Sequence, residues 1–520
     1  MNNKDVNLKT KKELQEAILK EKDKGTLDIE IGRKYGVTFK YIERLMTQSQ
    51  GINISSLKIS KKVKNLYPKD FKEETSTVWS FKQRGSWATH SGEYRGNWSP
   101  YIPRNVIIKY SKPGELILDY FCGAGTTAVE CKLLNRKCIA FDINEKAIEL
   151  AKKNICFNIN SLNLSFNKDH AQIYEPSLLV GDARNLSSLK DDSIDLICAH
   201  PPYANIIHYT DFKKEDLSFL DIDEFLKEME KVAKESFRVL KPERHCAILI
   251  GDTRRKKYII PLGFKLIDIY LKAGFKLREL VIKRQHNCKT TGFWYKNSIK
   301  YNFLLLAHEY LPIFEKPKPS TFEIKEKKIG YNLINIIIDK PALERKLNEL
   351  ETTTVWILPE KDFENHLNKN ILDRYLDGDE YLTIFLESKS QHKVKRVTKR
   401  EQQRKKLVLI KSPYLENHPT SNIQYYLQEI NDVVNSELKT ISNNGYIVIQ
   451  TIDIREGRYI RPLAKEIIDM LKQKILRLKE IVIVTKDKTK EIILENWSQD
   501  SYLKIVHQYL LVYKVLKKEE

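Results

Sequence analysis

Three short segments of the chain carry side chains suited to work on a nucleoside-bearing ligand. In LILDYFCGAGTT, residues 116 to 127, the apolar run Leu116-Ile117-Leu118 reads as a buried parallel strand ending at Asp119. Phe121, Gly123 and Gly125 follow in a turn whose glycines, lacking Cβ atoms, let the backbone pass close to a ligand. A second strand, Cys138 to Phe141, delivers Asp142 seventeen residues beyond Gly125, where a carboxylate at the edge of a doubly wound sheet accepts hydrogen bonds from ribose hydroxyls. Asp142 could equally cap a helix over Asn144 to Asn154. The spacing F-x-G-x-G lacks the third glycine of the dinucleotide fingerprint, and no Gly-Lys-Ser/Thr is present to make a phosphate-binding loop. Third comes His200-Pro201-Pro202-Tyr203, directly after the strand-like run DLICA.

Taken together with GNWSPYIPRNVIIKYSKPGE upstream and GDAR at Gly181 to Arg184, these segments resemble the amino-directed DNA methyltransferases, which modify adenine N6 or cytosine N4, over roughly residues 77 to 310. The resemblance implies an α/β fold with a Rossmann-like, seven-stranded methyltransferase sheet, S-adenosyl-L-methionine as cofactor and double-stranded DNA as substrate. It places Asp119 on the methionine amino group, Asp142 on the ribose and Asp182 on the adenine amino group. It also raises the expectation of a restriction-modification system with a cognate restriction enzyme. An exocyclic amine is a poor nucleophile because its lone pair is delocalised into the ring. Two acceptors on its N–H groups free that lone pair for attack on a sulfonium methyl, and a rigid loop must hold them. Pro201 presents a carbonyl in a set direction and position 200 supplies the other acceptor. Tyr203 offers a face for an extruded base.

The family usually has Asp, Asn or Ser where this chain has His200, so the target base stays unassigned. A neutral imidazole has one acceptor nitrogen and an imidazolium none, so activity is expected to fall as pH drops through about 6.5. The alternative is a histidine that only packs or caps. C5-cytosine chemistry is disfavoured because no Pro-Cys pair occurs. An RNA amino methyltransferase and a non-catalytic DNA-binding regulator of the same fold remain as rivals.

Composition agrees with a nucleic-acid partner. The 520 residues include 90 basic and 69 acidic side chains, a formal charge of +21 that favours phosphate binding by counterion release. Seven cysteines without a C-x-x-C pair argue for reduced thiols and against a metal site. No signal-like or membrane-length apolar run is present, so a cytoplasmic protein without membrane contact is expected.

Residues 1–60 read as a separate helix-turn-helix module. A helix over Lys11 to Lys22 is followed by helices over Thr26 to Tyr35 and Thr38 to Gln48, with Ile29, Ile31, Val37, Ile42 and Leu45 as the apolar seam. Lys40 and Arg44 are the candidate DNA contacts, unless the module is a helical hairpin for protein contact. Within the catalytic region, 61–316, the segment 284 to 301 mixes cations with aromatic faces. Arg284, His286, Lys289 and Trp294 suit a DNA-contacting loop or, more plainly, a solvated hairpin before a closing strand at Phe303 to Ala307.

The C-terminal part repeats what precedes it. Residues 251 to 282 are echoed at 452 to 483, Tyr258, Pro261 and Leu262 matching Tyr459, Pro462 and Leu463; ETSTVW at 74 to 79 returns as ETTTVW at 351 to 356, and HPPY as KSPY at 411 to 414. The second copy is about 66 residues shorter between these marks and has no glycine turn. Residues 351–520 therefore read as a degenerate methyltransferase-like lobe without cofactor, joined by a linker over 317–350. Such a lobe would stand in for a dimer partner and make the chain a monomer with an internal pseudo-dimer. The basic run 389 to 406 would line a DNA channel between the lobes or be a solvated linker.

Overall fold

The computed structural model describes residues 11–23, 26, 28–38, 41–42, 45, 63, 65–92, 94, 96–159, 172–204, 209–210, 213, 215–255, 257–286, 289–318, 334–337, 350–376, 381–386, 405–412, 423–487 and 501–517. Lys40, Arg44, Pro413, Tyr414 and most of the run 389 to 406 lie outside them.

The first sheet contains β1 (Val78–Ser80), β2 (Leu116–Asp119), β3 (Lys137–Asp142), β4 (Ser177–Val180), β5 (Ile194–Ala199), β6 (Leu240–Ile248), β7 (Ile250–Gly251), β10 (Lys276–Arg284) and β11 (His308–Glu315); a hairpin of β8 (Thr253–Arg255) and β9 (Tyr258–Ile260) stands apart. Strand order is β1-β10-β11-β6-β5-β2-β3-β4, with β7 on β11. The seven expected strands run from β10 to β4, with β11 antiparallel to its neighbours. Two short ones are added, β1 parallel to the β10 edge and β7 carrying β6 past Leu249. From β2 the chain moves outward to β3 and β4, then returns to the other side of β2 as β5. That reversal opens a crevice at the carboxyl ends of β2 and β5, where open α/β sheets bind ligands. Asp119 ends β2, Asp142 ends β3 and His200 follows β5, so all three reach the same edge.

Two expected elements differ. Phe303 to Ala307 is a loop with one bridge, Leu305 to Thr353, and the buried strand comes just after it. Glu309 and Glu315 in that strand are both buried and paired, Glu309 with Lys283 at 2.8 Å and Glu315 with Arg458 at 3.3 Å. The basic segment holds a helix, Lys289–Lys300, instead of a loop or hairpin tip.

The second sheet comprises β12 (Ile334–Ile337), β13 (Val355–Pro359), β14 (Tyr381–Leu386), β15 (Lys405–Lys411), β16 (Ile441–Thr451), β19 (Leu476–Asp487) and β20 (His507–Val515), with a hairpin of β17 (Ile454–Glu456) and β18 (Tyr459–Arg461) beside it. Its order, β13-β19-β20-β16-β15-β14-β12, repeats β1-β10-β11-β6-β5-β2 in sequence and direction. The register repeats too: Val78 pairs with Ile282 as Val355 pairs with Ile483. Where β3 would follow, β12 instead lies antiparallel on β14. This strand falls in the stretch expected as linker: its backbone pairs with β14 from Ile334 opposite Leu386 to Ile337 opposite Thr383.

The two sheets meet through reciprocal contacts. Arg254 meets Glu480 at 2.5 Å, and the repeat-equivalent Arg455 meets Glu279 at 2.5 Å. Thr77 bonds His507 and Thr354 bonds His308, both at 2.8 Å. Bridges Ser76 to Lys504 and Thr353 to Leu305 complete the set. Such i-to-j and j-to-i pairing is the mark of a two-fold interface, here inside one chain.

In the N-terminal module, Ile18, Ile31, Ile42 and Leu45 form the buried seam, and the second helix spans Asp28–Tyr35, two residues later than expected. Ile29 is 45% exposed rather than in the seam. Residues two apart lie on nearly opposite faces of a helix, so Ile29 and Ile31 cannot both face inward.

Candidate active site

A cleft of about 670 Å³, partly open to solvent, lies over the carboxyl ends of β2, β3, β4 and β5. Of the residues expected there, Phe121, Gly123, Asp142, Asp182, His200 and Pro202 line it, whereas Asp119, Gly125, Pro201 and Tyr203 stand behind the wall.

Asp119 turns inward and braces the glycine turn. One carboxylate oxygen accepts the Phe121 N–H at 3.0 Å and the other the Thr127 hydroxyl at 2.5 Å. Burial pushes this carboxyl up to about 7. Gly125, at φ 81°, is needed for packing, since a Cβ there would sit 2.9 Å from the Ala151 Cβ. Gly123, at φ 49°, lies on the cleft wall and donates its N–H to Asp142 Oδ2 at 2.8 Å. Asp142 Oδ1 accepts the Asn144 N–H at 2.9 Å. Asn144, whose side chain accepts from the Lys146 N–H at 3.0 Å, is the cap of helix Glu145–Ile155, so that role does not fall to Asp142. Burial pushes the Asp142 carboxyl up to about 6. Asp182 is held by the Arg184 guanidinium, at 2.9 Å from Nε and 2.6 Å from Nη2, and Arg184 reaches on to Glu228 at 2.6 Å.

Much of the remaining wall was not legible as a motif. Tyr94, Gly96, Asn97 and Trp98 form a strap over the glycine turn, and Tyr209, Glu215 and Asp216 close the opposite side. The strap is tied down by Arg84, which donates to the Asn97 and Trp98 carbonyls at 2.6 and 2.8 Å, and by Thr126, whose hydroxyl donates to Asn97 at 2.8 Å. Asn144 fixes the far side through the Tyr209 carbonyl at 2.6 Å. Gly96, Asn97 and Trp98 open the segment GNWSPYIPRNVIIKYSKPGE that carries part of the resemblance, but that segment alone gives them no role at the cleft.

In the loop after β5 the His200 ring stacks on Trp98, with centroids 5.6 Å apart. Its Nε2 lies 2.8 Å from the Tyr203 hydroxyl, which donates to Glu309 at 2.8 Å. Nε2 therefore faces Tyr203 and not the cleft. Tyr203 packs against Gly251, where a Cβ would come within 2.9 Å of its ring, and so braces the loop instead of offering the free stacking face expected for a base. Burial, only partly offset by the Glu309 charge, lowers the His200 pKa to about 4. The fall in activity expected near pH 6.5 accordingly moves down: with saturating cofactor, kcat should stay flat from pH 8 to about 5.5 if His200 sets it. A steady-state pH series checks this, and a mid-point near 6.5 would restore the ordinary histidine value.

The other candidate contacts are spread along β10 and the helix beyond it. Arg284 ends β10, and His286 Nε2 lies 2.9 Å from the Ser80 hydroxyl. Lys289 begins helix Lys289–Lys300. Trp294 is half-buried, with the Lys22 ammonium 5.3 Å from its ring centroid, so a cation of the N-terminal module already sits over it. Among the described residues no cluster of His, Cys, Asp and Glu could hold a metal, and no helix is long and apolar enough to cross a membrane.

Comparison with known proteins bears on this geometry. The DNA methylase family of the N6/N4 type matches residues 2–153 and 194–420, and a general methyltransferase domain matches 111–259. A type II methyltransferase, M.MthZI of Methanothermobacter thermautotrophicus, is 28% identical over 164 residues, 28% of this chain and 46% of the relative. M.MjaI of Methanocaldococcus jannaschii is 27% identical over 178 residues, 29% of this chain and 58% of the relative. A tRNA (guanine(10)-N2)-dimethyltransferase of M. thermautotrophicus is 29% identical over 131 residues, 25% of this chain and 34% of that protein. The chain spans about half the length of these two type II relatives. With a match over most of its length, and with the glycine turn and the His200 loop meeting at one cleft, the chain belongs to the N6/N4 DNA methylase family, whose cofactor is S-adenosylmethionine.

Proposed function

We propose that the chain transfers a methyl group from S-adenosyl-L-methionine to an exocyclic amino group of double-stranded DNA, adenine N6 or cytosine N4. One observation carries this reading: Gly123, Asp142, His200 and Pro202 converge on a single cleft at the strand-order reversal. The residues fit the cofactor. Each Asp142 oxygen takes one backbone N–H and keeps a lone pair for a ribose hydroxyl. The acidic lining of Asp142, Asp182, Glu215 and Asp216 suits a cation. The bound cofactor supplies an electrophilic methyl. The chain's own part is to hold the amine at the loop after β5, where His200 and Pro202 reach the cleft wall and the neutral His200 ring is fixed by Trp98 and Tyr203.

In this reading the second sheet takes the place of a partner subunit and binds no cofactor, since among the described residues β12 lies antiparallel on β14 where β3 would stand. The chain acts as a monomer, the N-terminal helices contact DNA through Lys40 and Arg44, and a restriction enzyme reads the same site.

Asp142 gives the pH dependence of cofactor binding. Its carboxyl stands above the ordinary 3.8, at about 6. The ionised form is the better acceptor, so affinity should be constant above pH 7 and fall, by up to about tenfold per unit, as pH drops below 6. Calorimetric titration from pH 8 to 5 measures this; equal affinity at both ends would remove Asp142 from the binding surface.

Incubation with radiolabelled cofactor and either duplex DNA or total tRNA tests the activity. Label in DNA, with N6-methyladenine or N4-methylcytosine after digestion, is the expected result. Label in RNA alone would overturn it in favour of the second reading, an RNA amino methyltransferase, for which the similarity to a tRNA dimethyltransferase speaks.

A further inference from the structure

β11 is the strand that touches both the catalytic loop and the second sheet. Side chains alternate along a strand, so Glu309 faces one side and His308 and Tyr310 the other. Glu309 accepts from Tyr203 and from Lys283, each at 2.8 Å. On the opposite face His308 Nδ1 lies 2.8 Å from Oγ1 of Thr354, a residue of the second sheet's leading segment, and His308 Nε2 lies 3.1 Å from the Tyr310 hydroxyl. Thr354 Oγ1 also accepts the Ala307 N–H at 3.1 Å, which leaves its one hydrogen for His308 Nδ1. His308, Glu309, Tyr310 and Thr354 are buried.

The same network recurs across the internal two-fold with a telling difference. Thr77 bonds His507 Nδ1 at 2.8 Å, His507 Nε2 lies 2.9 Å from Tyr509, and Thr77 Oγ1 accepts the Val506 N–H at 3.2 Å. The residue between the histidine and the tyrosine is Gln508, whose side chain takes Gln450 as partner at 2.9 Å. The carboxylate is present only in the copy that holds the His200–Tyr203 loop.

We propose that Thr354 is a positioning residue for catalysis: through His308 it fixes β11, so that Glu309 holds Tyr203 and His200 in their working geometry. The second sheet is thereby part of the catalytic apparatus, acting on the loop from behind. This rests on the reading of His200–Tyr203 as the catalytic loop.

The two-fold provides its own control. Thr354→Val and Thr77→Val in the full chain each delete one hydroxyl from matched networks, so both should lower thermal stability by similar amounts. Thr354→Val should also lower kcat about tenfold with KM for DNA and cofactor affinity unchanged, and Thr354→Ser should restore it. Thr77→Val should keep the wild-type kcat. Equal kcat in the two valine variants would overturn the proposal. A second readout is independent of turnover: in histidine-labelled NMR spectra of the full chain, the His200 ring signal should move in Thr354→Val and stay in Thr77→Val. If the unaltered chain methylates no nucleic acid but His200 still moves only in Thr354→Val, the functional reading fails and the coupling stands; if His200 is indifferent to both, the coupling fails.

Discussion

Asp142→Ala is expected to weaken cofactor binding by two to three orders of magnitude. The carboxylate ends β3 at the crevice edge and ties the Gly123 N–H and the Asn144 N–H, so its loss removes acceptors for the ligand and loosens the turn that forms the wall. Hydrogen bonds to a charged group contribute about 1.5–3 kcal/mol each, and two lost to the ribose at the lower end of that range, as in a cleft partly open to solvent, correspond to roughly 10²–10³ in affinity. Asp142→Asn keeps an acceptor oxygen and should lose less. Calorimetry with S-adenosylmethionine and with its demethylated product measures both variants, and a Kd within threefold of wild type would take this residue out of the site. Asp119→Ala should behave differently. Asp119 braces Phe121 and Thr127 from behind the wall, so its loss should lower stability at least as much as affinity.

Glu480→Ala and Glu279→Ala are expected to destabilise the chain by about 3–5 kcal/mol each, and by matching amounts. Glu480 and Glu279 are fully buried, and each also accepts a backbone N–H across the interface, from Leu304 at 3.1 Å and from Leu503 at 3.2 Å. Removing either carboxylate strands a mostly buried arginine, Arg254 or Arg455, as well as that amide. Replacing an arginine and its glutamate together by apolar residues should cost much less than the glutamate alone, because no charge is left uncompensated. Urea unfolding of the full chain reads these differences. A loss below 1 kcal/mol in either single variant would mean the interface does not close as described.

The parts of the fold written as regular patterns were legible in the sequence. The apolar runs before Asp119 and Asp142 are short buried strands, Ile222–Val239 shows helical periodicity, and the echo of residues 251 to 282 at 452 to 483 foretold two sheets of like order. What escaped was set by tertiary contact. Glu309 in β11 reads as a surface residue until Lys283 and Tyr203 are placed around it. Ile334–Ile337 is too short a run to be told from a connection until β14 lies beside it. At the cleft, motif residues were found more readily than their working atoms. Nothing in HPPY says that the His200 Nε2 turns to Tyr203, or that Gly125 is required by Ala151, because both depend on segments far along the chain or on a neighbouring helix. The strap at Tyr94 to Trp98 has neither a repeat nor an apolar stripe, and the Arg84 bonds to its carbonyls and the Thr126 bond to Asn97 show why it lies where it does.

The reciprocal pairs Arg254–Glu480 and Arg455–Glu279 join halves of a single polypeptide. Dilution cannot part them, because the tether sets their effective concentration regardless of how much protein is present. Each amino-acid change also strikes one half alone, which a homodimer never permits. Glu309 stands beside the His200–Tyr203 loop while its counterpart on β20 is the neutral Gln508, a difference between halves that the symmetry of a homodimer would forbid.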